Sequence, residues 1–458
     1  MFKNKYLIVG LIVVGILALG LMTFVSWQQK IAVGSIKPVK LQWWGVWEQP
    51  DVMSKMIKSY QRNHPLVTIE YRGFLAEEYQ EKLLKAWAVD QGPDIFMIPN
   101  TWMPEYANQY LTPMPAEMEV PAREIKGTLR KQTVDSLKRY AGYSTKDIRD
   151  RFMDVVYQDT VINDAVYGLP LSVDTMVLYY NRALLQANGI AEPATDWTEL
   201  LRQAQQISQL NEQDEFVQSA IALGTTENIP NAFDIVSLLM LQNGITPGTA
   251  SGASFANDPR TAEVLSFYQA FARSDTTAYS WNDKLGNALD VFTAGRLAYF
   301  LGYQYHDPLI STSNPKLDYD VIPVPTNEGA TKEVTYANYW LNVVAKKSKN
   351  KSVAWQAVWE MTQGDMVKTY LTDTGKTTAL RSLVREQQED QRLAPFAKNL
   401  LQAQSWYRGY NYALAQQYFY EMLAATNKAS DEKAIEAEIR KGQNQINQTY
   451  KAQPLFSN

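Results

Sequence analysis

The stretch Val166–Asn181, VYGLPLSVDTMVLYYN, strongly constrains the fold of this chain. It begins with a turn at Tyr167-Gly168 and continues as two extended apolar runs on either side of Asp174-Thr175. Pro170 prevents a helix from entering, because proline lacks the backbone N–H and restricts the residue before it. A buried strand does not normally keep a carboxylate, and helical patterning begins directly afterwards. We therefore interpret the stretch as a crossover between two lobes, with Asp174 facing the space between them.

The length of the chain favours two lobes, because 458 residues exceed what one hydrophobic core usually serves. The composition, 46% hydrophobic and 20% charged, is that of a globular protein. A net charge of −4 gives no electrostatic basis for binding nucleic acid. The absence of cysteine excludes disulfides and thiolate chemistry, and only His64 and His306 are available for a zinc site or a Ser-His-Asp triad. We expect neither a metal nor a cofactor.

The N-terminal segment predicts attachment to a membrane. Two lysines in residues 1–5 precede an uncharged apolar run over residues 6–27, and about twenty apolar residues span a bilayer. Basic residues in front of the run place the N-terminus in the cytoplasm, so the rest of the chain is expected outside. A cleaved signal peptide is the alternative, since residues 32–34 offer a small-residue cleavage site. The length of the run favours an uncleaved single-pass transmembrane helix, followed by a linker over residues 28–38.

Alternating strand and helix patterns after the linker predict a parallel sheet covered on both faces. Residues 40–44, 66–71 and 95–98 have the pattern of strands, and the segments between them carry helical stripes. Ligands of such sheets bind beyond the carboxyl ends of the strands. At these ends the chain places tryptophan beside polar groups: Trp43, Trp44, Trp47 and Glu48 after the first strand, and Asn100, Thr101 and Trp102 after the third.

A later predicted strand, residues 296–301, is also followed by aromatic groups, Tyr303 and Tyr305. Tryptophan and tyrosine suit stacking on a ligand, although a single tryptophan can equally cover the local core. Residues 116–160 are charged and helical in pattern and carry no chemical motif. From Val353 onward the pattern is helical.

The motifs that are missing exclude several enzyme classes. The sequence has no dinucleotide-binding glycine motif, phosphate loop, zinc-hydrolase motif, EF-hand loop or nucleophile elbow. A glycosidase needs two carboxylates across the scissile bond, and Glu48 and Asp174 are the candidates. A carboxylate near tryptophan equally suits sugar binding without turnover, because it accepts hydrogen bonds from hydroxyl groups while aromatic faces pack on the sugar. A membrane-anchored polysaccharide-degrading enzyme therefore stays open as an alternative.

Several segments, in the same order, resemble the bacterial extracellular solute-binding proteins of family 1, the maltose-binding-protein-like receptors of ABC importers. They are LQWWGVWE, GPDIFMIPNTWMPEYANQYLTPM, VYGLPLSVDTMVLYYNRALLQANGI followed by ATDWTELLRQAQQI, VFTAGRLAYFLGYQY, and YWLNVVAKKSKNKSVAWQAVWEMT. The resemblance extends over the chain after the anchor. It implies a periplasmic-binding-protein-like α/β fold of type II, in which two α/β lobes are joined by a multi-strand hinge with a ligand cleft between them.

The resemblance also implies that each lobe is discontinuous in sequence. The expected division is residues 39–168 and 289–327 in the first lobe, residues 178–286 and 346–458 in the second, and hinge crossovers at residues 169–177 and 328–345. In such a fold, closure is a hinge motion, and a solute favours the closed population.

The implied function is that of a non-enzymatic receptor at the cell membrane. It captures a solute and delivers it to the permease subunits of an ABC importer, and we expect a monomer. The aromatic residues favour a saccharide as the solute. Matching the family one position at a time makes Asp174 the leading polar contact and adds Tyr179, Tyr339, Trp340, Trp406 and Tyr407 to the residues already named at strand ends.

Three other tryptophans, Trp87, Trp355 and Trp359, lie on helical stripes and are assigned to the core. Two features depart from the family pattern. The chain has no lipid-attachment cysteine, which places a transmembrane anchor in that role, and the region 116–160 is longer than the usual connection. A solute sensor on the same scaffold remains a further alternative.

Overall fold

Two sheets, each with its own hydrophobic core, organise the computed structural model, which describes residues 36–127, 131–330 and 333–451. We call the two units the first lobe and the second lobe. The strands are β1 Val39–Val46, β2 Val67–Phe74, β3 Ile95–Pro99, β4 Glu117–Lys126, β5 Gln132–Ala141, β6 Val161–Ile162, β7 Ala165–Val166, β8 Asp174–Thr175, β9 Val177–Asn181, β10 Gln209–Leu210, β11 Phe216–Ile221, β12 Gly248–Thr249, β13 Gly252–Ala253, β14 Leu297–Gly302, β15 Tyr319–Pro323, β16 Thr335–Asn338, β17 Trp340–Val344 and β18 Ala403–Gln404.

The helices surround these sheets. They are α1 Pro50–Asn63, α2 Ala76–Ala88, α3 Met103–Gln109, α4 Thr145–Arg151, α5 Asp154–Thr160, α6 Arg182–Ala187, α7 Trp197–Ile207, α8 Ala232–Gln242, α9 Arg260–Ala270, α10 Ala288–Thr293, α11 His306–Ser313, α12 Lys351–Met361, α13 Gly364–Thr374, α14 Arg381–Gln388, α15 Ala394–Ala397, α16 Tyr412–Lys428 and α17 Glu432–Gln448. Short 3-10 turns cover Asn100–Trp102, Phe255–Asn257 and Leu400–Gln402.

The sheet of the first lobe has the strand order β17-β3-β1-β2. β1 pairs in parallel with β2 and β3, as the alternating pattern predicts, and β17 joins β3 in the antiparallel direction. The stripe of α1 is buried against this sheet, and Pro50 occupies its first turn, where the missing N–H has no cost. The carboxyl ends of β1, β2 and β3 and the start of β17 consequently share one edge.

The sheet of the second lobe has the order β10-β11-β14-β9-β15. β14 pairs with β9 from Tyr299↔Tyr180 to Gly302↔Val177, and β15 pairs with the other side of β9. The prediction that residues 289–327 belong to the first lobe is therefore wrong. β14 is buried at all six positions, and this apolar strand fits the interior of either sheet, so its own pattern does not reveal its partner.

The two lobes are joined through a three-stranded sheet of order β18-β16-β8. The chain passes from one hydrophobic core to the other at three places: residues 173–176, residues 336–337 and residues 396–406. The first passage is the stretch around Asp174. We call these passages the first, second and third crossings.

The C-terminal region divides between the lobes, which corrects the expectation that residues 346–458 all lie in the second. Helices α12, α13 and α14 contribute to the first core, where Trp355 is fully buried. The Trp355 indole donates to the Thr112 carbonyl at 3.2 Å, and the Tyr60 hydroxyl donates to Gln356 at 2.5 Å. Phe396 belongs to the second core, residues 397–403 return to the first, and from Trp406 onward the buried side chains belong to the second.

Residues 116–160, predicted as helical, contain a long β-hairpin. β4 and β5 pair over ten residues, from Glu117↔Ala141 to Lys126↔Gln132, and helices follow only from Thr145. Met118 and Val120 on β4 are buried in the first core, while the end of β4 from Arg123 to Lys126 is exposed. Charged residues in both strands form cross-strand ion pairs, such as Arg123 with Asp135, and these charges produced the helical interpretation.

The predicted anchor over residues 6–27, the tail before it and most of the linker lie outside the described residues. Among the helices that the structure does describe, none combines the length and apolar character needed to cross a membrane.

Candidate functional site

The two lobes meet where the carboxyl-end edges of their sheets approach each other. Trp47, directly after β1, stacks on Tyr305, which follows β14, with ring centroids 5.8 Å apart and an interplanar angle of 30°. Both rings remain accessible, Trp47 at 50% and Tyr305 at 38% of their maximal exposure. This aromatic pair spans the two lobes and defines the centre of what we call the interlobe site.

The backbone holds Trp47 in an unusual conformation. Its φ of 64° lies in the left-handed region, which a bulky residue rarely adopts. Conformations of this kind cost about 1–3 kcal/mol and cluster at binding and catalytic sites. The turn after β1 therefore presents an exposed indole at the edge of the sheet, and this conformation lowers the stability of the fold.

Glu48 adjoins Trp47 and takes part in a buried ion pair. Its Oε1 accepts from Lys376 Nζ at 2.9 Å and from the Tyr370 hydroxyl at 2.6 Å. Its Oε2 is buried and has no partner among the described residues. Burial and the neighbouring Glu48 carboxylate raise the pKa of Tyr370, so this hydroxyl stays protonated and donates. The Glu48 carboxylate is thus held beneath the surface beside Trp47.

Asp174 lies on the first crossing and binds backbone of the second lobe. Its two oxygens accept from the N–H groups of Gln304 at 2.9 Å and Tyr305 at 3.1 Å. Burial raises the pKa of the Asp174 carboxyl to about 7, while these N–H groups oppose the rise. Asp174 therefore positions the strand end that carries Tyr305.

Gln304 extends the same contact to the first lobe. Its side-chain amide donates to the Gly375 carbonyl at 2.6 Å, and its Oε1 accepts from the Thr377 N–H at 3.0 Å. The loop 375–377 also carries Lys376, the partner of Glu48. The interlobe site is thus bordered by polar side chains that already have partners.

Asp234 is a buried carboxylate in the otherwise apolar helix α8. It accepts from the Tyr303 hydroxyl at 2.6 Å and from Asn338 Nδ2 at 3.3 Å. Burial raises the pKa of Asp234 to about 6, and these two donors oppose the rise. The Tyr303 ring stacks on Tyr305 at 5.9 Å, which connects Asp234 to the aromatic pair.

Asp159, at the end of α5, collects donors from several elements. Asn100 donates at 2.9 Å, the Tyr339 hydroxyl at 2.8 Å and the Ser405 hydroxyl at 2.9 Å, and Arg408 forms an ion pair at 2.7 Å. Both oxygens of this carboxylate are occupied by these contacts. The predicted residues Asn100 and Tyr339 consequently bind Asp159 in this structure.

Several residues predicted at the site lie in the cores instead. Trp43 is fully buried because a sheet covered on both faces encloses either side of β1. Trp44 is also buried, against Phe74 at 4.6 Å. Tyr179 donates to the Tyr303 carbonyl from within the second core, Trp406 donates to Ser237, and Tyr407 donates to Thr449. These five residues are assigned to packing.

Three more predicted residues lie half-buried at the edge of the first sheet: Thr101, Trp102 and Trp340. Trp102 stacks on Tyr106 at 5.2 Å, and its centroid is 6.5 Å from that of Trp340. Of the tryptophans assigned to the core, Trp87 and Trp355 are buried and Trp359 is half-buried.

Sequence reasoning missed Asp159, Asp234, Gln304, Lys376 and Arg408. Asp234 could have been found, because a carboxylate inside AFDIVSLLM requires a buried partner. The other four residues lie among polar neighbours in the sequence, and only their contacts with residues far away along the chain mark them as part of the site.

The structure places cavities elsewhere as well. Two adjoining cavities of about 490 and 470 Å³ lie beside the end of β15 and share Ile322, Pro323 and Lys398. No predicted site residue lines either cavity. Within the described ranges, no group of three or more His, Asp or Glu side chains is arranged to hold a metal ion.

Comparisons with known proteins give the family and the fold. Residues 46–363 match the family model of the bacterial extracellular solute-binding proteins. A binding protein of Brucella abortus (strain 2308) is 20% identical over 313 residues, which cover 67% of each chain. The galactooligosaccharide-binding protein of Bacillus subtilis (strain 168) is 21% identical over 249 residues, 53% of this chain and 56% of that one.

Solved structures establish the fold. The cyclic alpha-maltosyl-1,6-maltose binding protein of Arthrobacter globiformis has a TM-score of 0.71 at 17% identity, covering 91% of this chain and all of the other. The sugar-binding protein MalE of Xanthomonas citri has a TM-score of 0.67 at 17% identity, covering 90% of this chain and 97% of the other. The α/β fold is therefore of the periplasmic-binding-protein kind.

Proposed function

Because the chain belongs to the bacterial extracellular solute-binding protein family, we propose that it captures a neutral saccharide between its lobes and delivers it to an ABC importer. Membership makes the chain a binding protein and not an enzyme. Glu48 and Asp174 are therefore contact or positioning groups and not an acid–base pair.

The observation that carries the saccharide proposal is the exposed pair of Trp47 and Tyr305 across the lobes. An indole face packs on the apolar face of a sugar ring, and the exposed Tyr305 ring offers a second aromatic face from the other lobe. The half-buried Trp102 and Trp340 extend the aromatic surface along the same edge. Saccharide names among the relatives and similar structures support the same class of solute.

The charges at the site favour an uncharged saccharide. Glu48 is paired with Lys376, Asp159 with Arg408, and Asp174 accepts two backbone N–H groups. A charged solute would need an unpaired counter-charge to compensate for its desolvation, and these groups already satisfy one another. Sugar hydroxyl groups need only hydrogen bonds.

We place the receptor on the outer side of the cell membrane, held by the predicted helix over residues 6–27, with permease subunits as partners. The alternative of a solute sensor differs only in its partner. Co-purification of a permease from the native membrane supports delivery, and a complex with a signalling protein instead supports the sensor.

Intrinsic tryptophan fluorescence during titration with neutral mono- and oligosaccharides tests the proposal. We expect a saturable change, and Trp47→Ala should weaken binding by roughly thirtyfold, which corresponds to about 2 kcal/mol for an anchoring tryptophan. Leu137→Ala, which shortens an equally exposed apolar side chain on the hairpin, serves as the control and should bind normally. A flat response to every saccharide refutes the saccharide proposal.

A further inference from the structure

The hairpin of β4 and β5 forms a sheet of only two strands, which leaves an open edge on β5. The Gly142 N–H donates to the Ala116 carbonyl directly beyond the paired residues. Backbone groups of a strand alternate in direction, so the odd-numbered residues from Thr133 to Ala141 turn their N–H and C=O groups away from β4. Within the described ranges, these outward groups have no hydrogen-bond partner. Such an edge is a template for pairing with another strand.

The outer edge of β4 is less suited to pairing. Pro121 occupies an outward position of this strand, by the same alternation, and proline has no N–H to donate. β5 contains no proline. Leu137, which pairs with Pro121, is 55% exposed on the open edge. The two edges of the hairpin therefore differ, and β5 is the one that can accept a further strand.

The sequence of β5 is complementary to itself in the antiparallel direction. With Leu137 opposite Leu137 of a second copy, Asp135 lies opposite Arg139 of that copy, and Arg139 opposite its Asp135. Outward residues then face outward residues, so each of these pairs exchanges two backbone hydrogen bonds. On the other face of the strand, Val134 lies opposite Tyr140 of the second copy, and β-branched and aromatic side chains pair favourably across strands.

The ion pairs inside the hairpin extend this complementarity. Arg139 Nε lies 3.0 Å from Glu119 Oε1, and Arg123 Nε lies 2.8 Å from Asp135 Oδ1, in both cases across the two strands. In a joined sheet of order β4-β5-β5-β4, one row of side chains therefore reads Glu119, Arg139, then Asp135 and Arg123 of the second copy. The charges alternate along the whole row, so no two like charges are neighbours in it.

We propose that the open edge of β5 pairs with β5 of a second copy of this chain, in a two-fold symmetric dimer with Leu137 on the axis. A surface that is complementary to itself in this way is what a two-fold interface requires. The expected monomer was implied by the family resemblance, and the hairpin lies in region 116–160, where the chain departs from the family pattern. The inference goes beyond the proposed function and does not depend on it.

The dimer leaves the interlobe site accessible. The ring of Tyr140 on β5 lies 5.9 Å from that of His64, which directly follows α1. Helix α1 begins at the carboxyl edge of the first sheet, after β1, and returns to the opposite edge, where β2 starts. The base of the hairpin is therefore at the edge of the sheet that lies away from Trp47.

Disulfide formation in the purified full-length chain tests the register. The chain has no cysteine, so Leu137→Cys introduces a single thiol, which faces its copy on the two-fold axis. Directly paired Cα atoms lie about 5.5 Å apart, within the range that a disulfide spans. Under mild oxidation we expect a covalent dimer of twice the chain mass. Ile125→Cys, at a position 70% exposed on β4 of the same hairpin, is the matched control and should stay monomeric under denaturing conditions, because the two β4 strands lie at opposite sides of the joined sheet.

The molar mass of the full-length chain, measured by light scattering over a range of concentrations, is the second test. We expect a dimer for the wild type. Leu137→Glu places two carboxylates opposite each other in the dimer alone, and should raise the dissociation constant at least about tenfold. Val217→Glu, at a position 50% exposed in the second lobe, is the control and should remain a dimer.

A wild type that is monomeric at every concentration overturns the inference. Equal cross-linking of Leu137→Cys and Ile125→Cys, or an undiminished dimer in Leu137→Glu, overturns it as well. If Leu137→Glu does not fold, which circular dichroism reveals, the cross-linking of Leu137→Cys decides the question. Saccharide titration is a separate readout: a flat titration refutes the proposed function and leaves the dimer result standing.

Discussion

At the level of single residues, buried carboxylates link the stability of this protein to pH. Asp234 is enclosed by apolar residues of α8 and has two neutral donors, Tyr303 and Asn338. Desolvation disfavours its charged form more than these donors favour it, so the pKa rises from 3.8 to about 6. Between these values the folded protein binds more protons than the unfolded chain. The contribution of Asp234 to stability is therefore present at low pH and is lost as pH rises through about 6.

Replacing Asp234 by Asn should remove this dependence. The amide oxygen keeps the size of the acceptor and can still accept from Tyr303, while the charge is lost. We expect the Asp234→Asn protein and the wild type to have equal free energies of unfolding near pH 4. Above pH 7 the variant should be more stable, by an amount on the order of 2 kcal/mol in the free energy of unfolding, and should melt at a higher temperature. Thermal unfolding at both pH values measures it, with the exposed Asp283→Asn as the control. An Asp234→Asn advantage that does not change with pH contradicts the account.

The Glu48–Lys376 pair gives a second prediction at this scale. The side chains are 4% and 30% exposed, so Lys376→Met leaves a buried carboxylate with Tyr370 as its remaining donor. We expect the free energy of unfolding to fall by about 3 kcal/mol. Lys398→Met removes an exposed partner of Glu333, at 3.5 Å, and should change it by less than about 1 kcal/mol. Chemical denaturation measures the free energy of unfolding of both variants. Equal losses of stability would show that the burial of an ion pair does not determine the cost of breaking it.

At this scale the sequence predicts an aromatic and acidic site, and the structure shows which of the named residues are exposed at the meeting of the lobes. Trp43, Trp44 and Trp47 share one short segment, and only the turn at φ 64° distinguishes the exposed Trp47 from its buried neighbours. Asp174 stands out in the sequence because a carboxylate in an apolar run needs a partner, and the structure shows backbone N–H groups as its donors, while contact with a solute stays a prediction. The donors around Asp159 include Ser405, which is 246 positions away, and no local pattern contains that information.

At the level of elements, the hairpin β4–β5 divides into a packed and an exposed half. Met118 and Val120 are buried in the first core, while Ile125, close to the end of β4, is 70% exposed. Ala122 and Ser136 pair where the two halves meet. The exposed half should therefore contribute little to stability.

Shortening the hairpin tests this division. Replacing residues 123–135 by Asn-Gly connects Ala122 to Ser136 through a two-residue turn that suits their register. We expect the free energy of unfolding to change by less than about 1 kcal/mol, because exposed positions contribute little. Met118→Ala in the packed half should cost about 2–4 kcal/mol. A shortened protein as unstable as Met118→Ala would show that the exposed half supports the fold.

Elements were predictable where the pattern is local. β1, β2 and β3 alternate or run apolar between helical stripes, and their parallel pairing follows from that order. β14 was placed in the wrong lobe because a strand buried at every position carries no preference for one sheet. The hairpin was misread because cross-strand charges look like charges on a helix surface.

At the level of the whole molecule, two lobes with separate cores meet through a small set of polar and aromatic contacts near three crossings. The family resemblance gave this architecture, and the family model and similar structures agree with it. The division of the chain between the lobes required the structure, since strands and helices far apart in sequence share each core.

Isothermal titration calorimetry with neutral oligosaccharides and with uronic-acid and amino-sugar oligosaccharides of equal length tests the central claim most directly. The account predicts one-to-one binding of a neutral oligosaccharide, at least tenfold tighter than that of its charged counterparts, because the charges at the site already have partners. Tighter binding of a charged saccharide, or no binding of any saccharide while another class of solute binds, would contradict it.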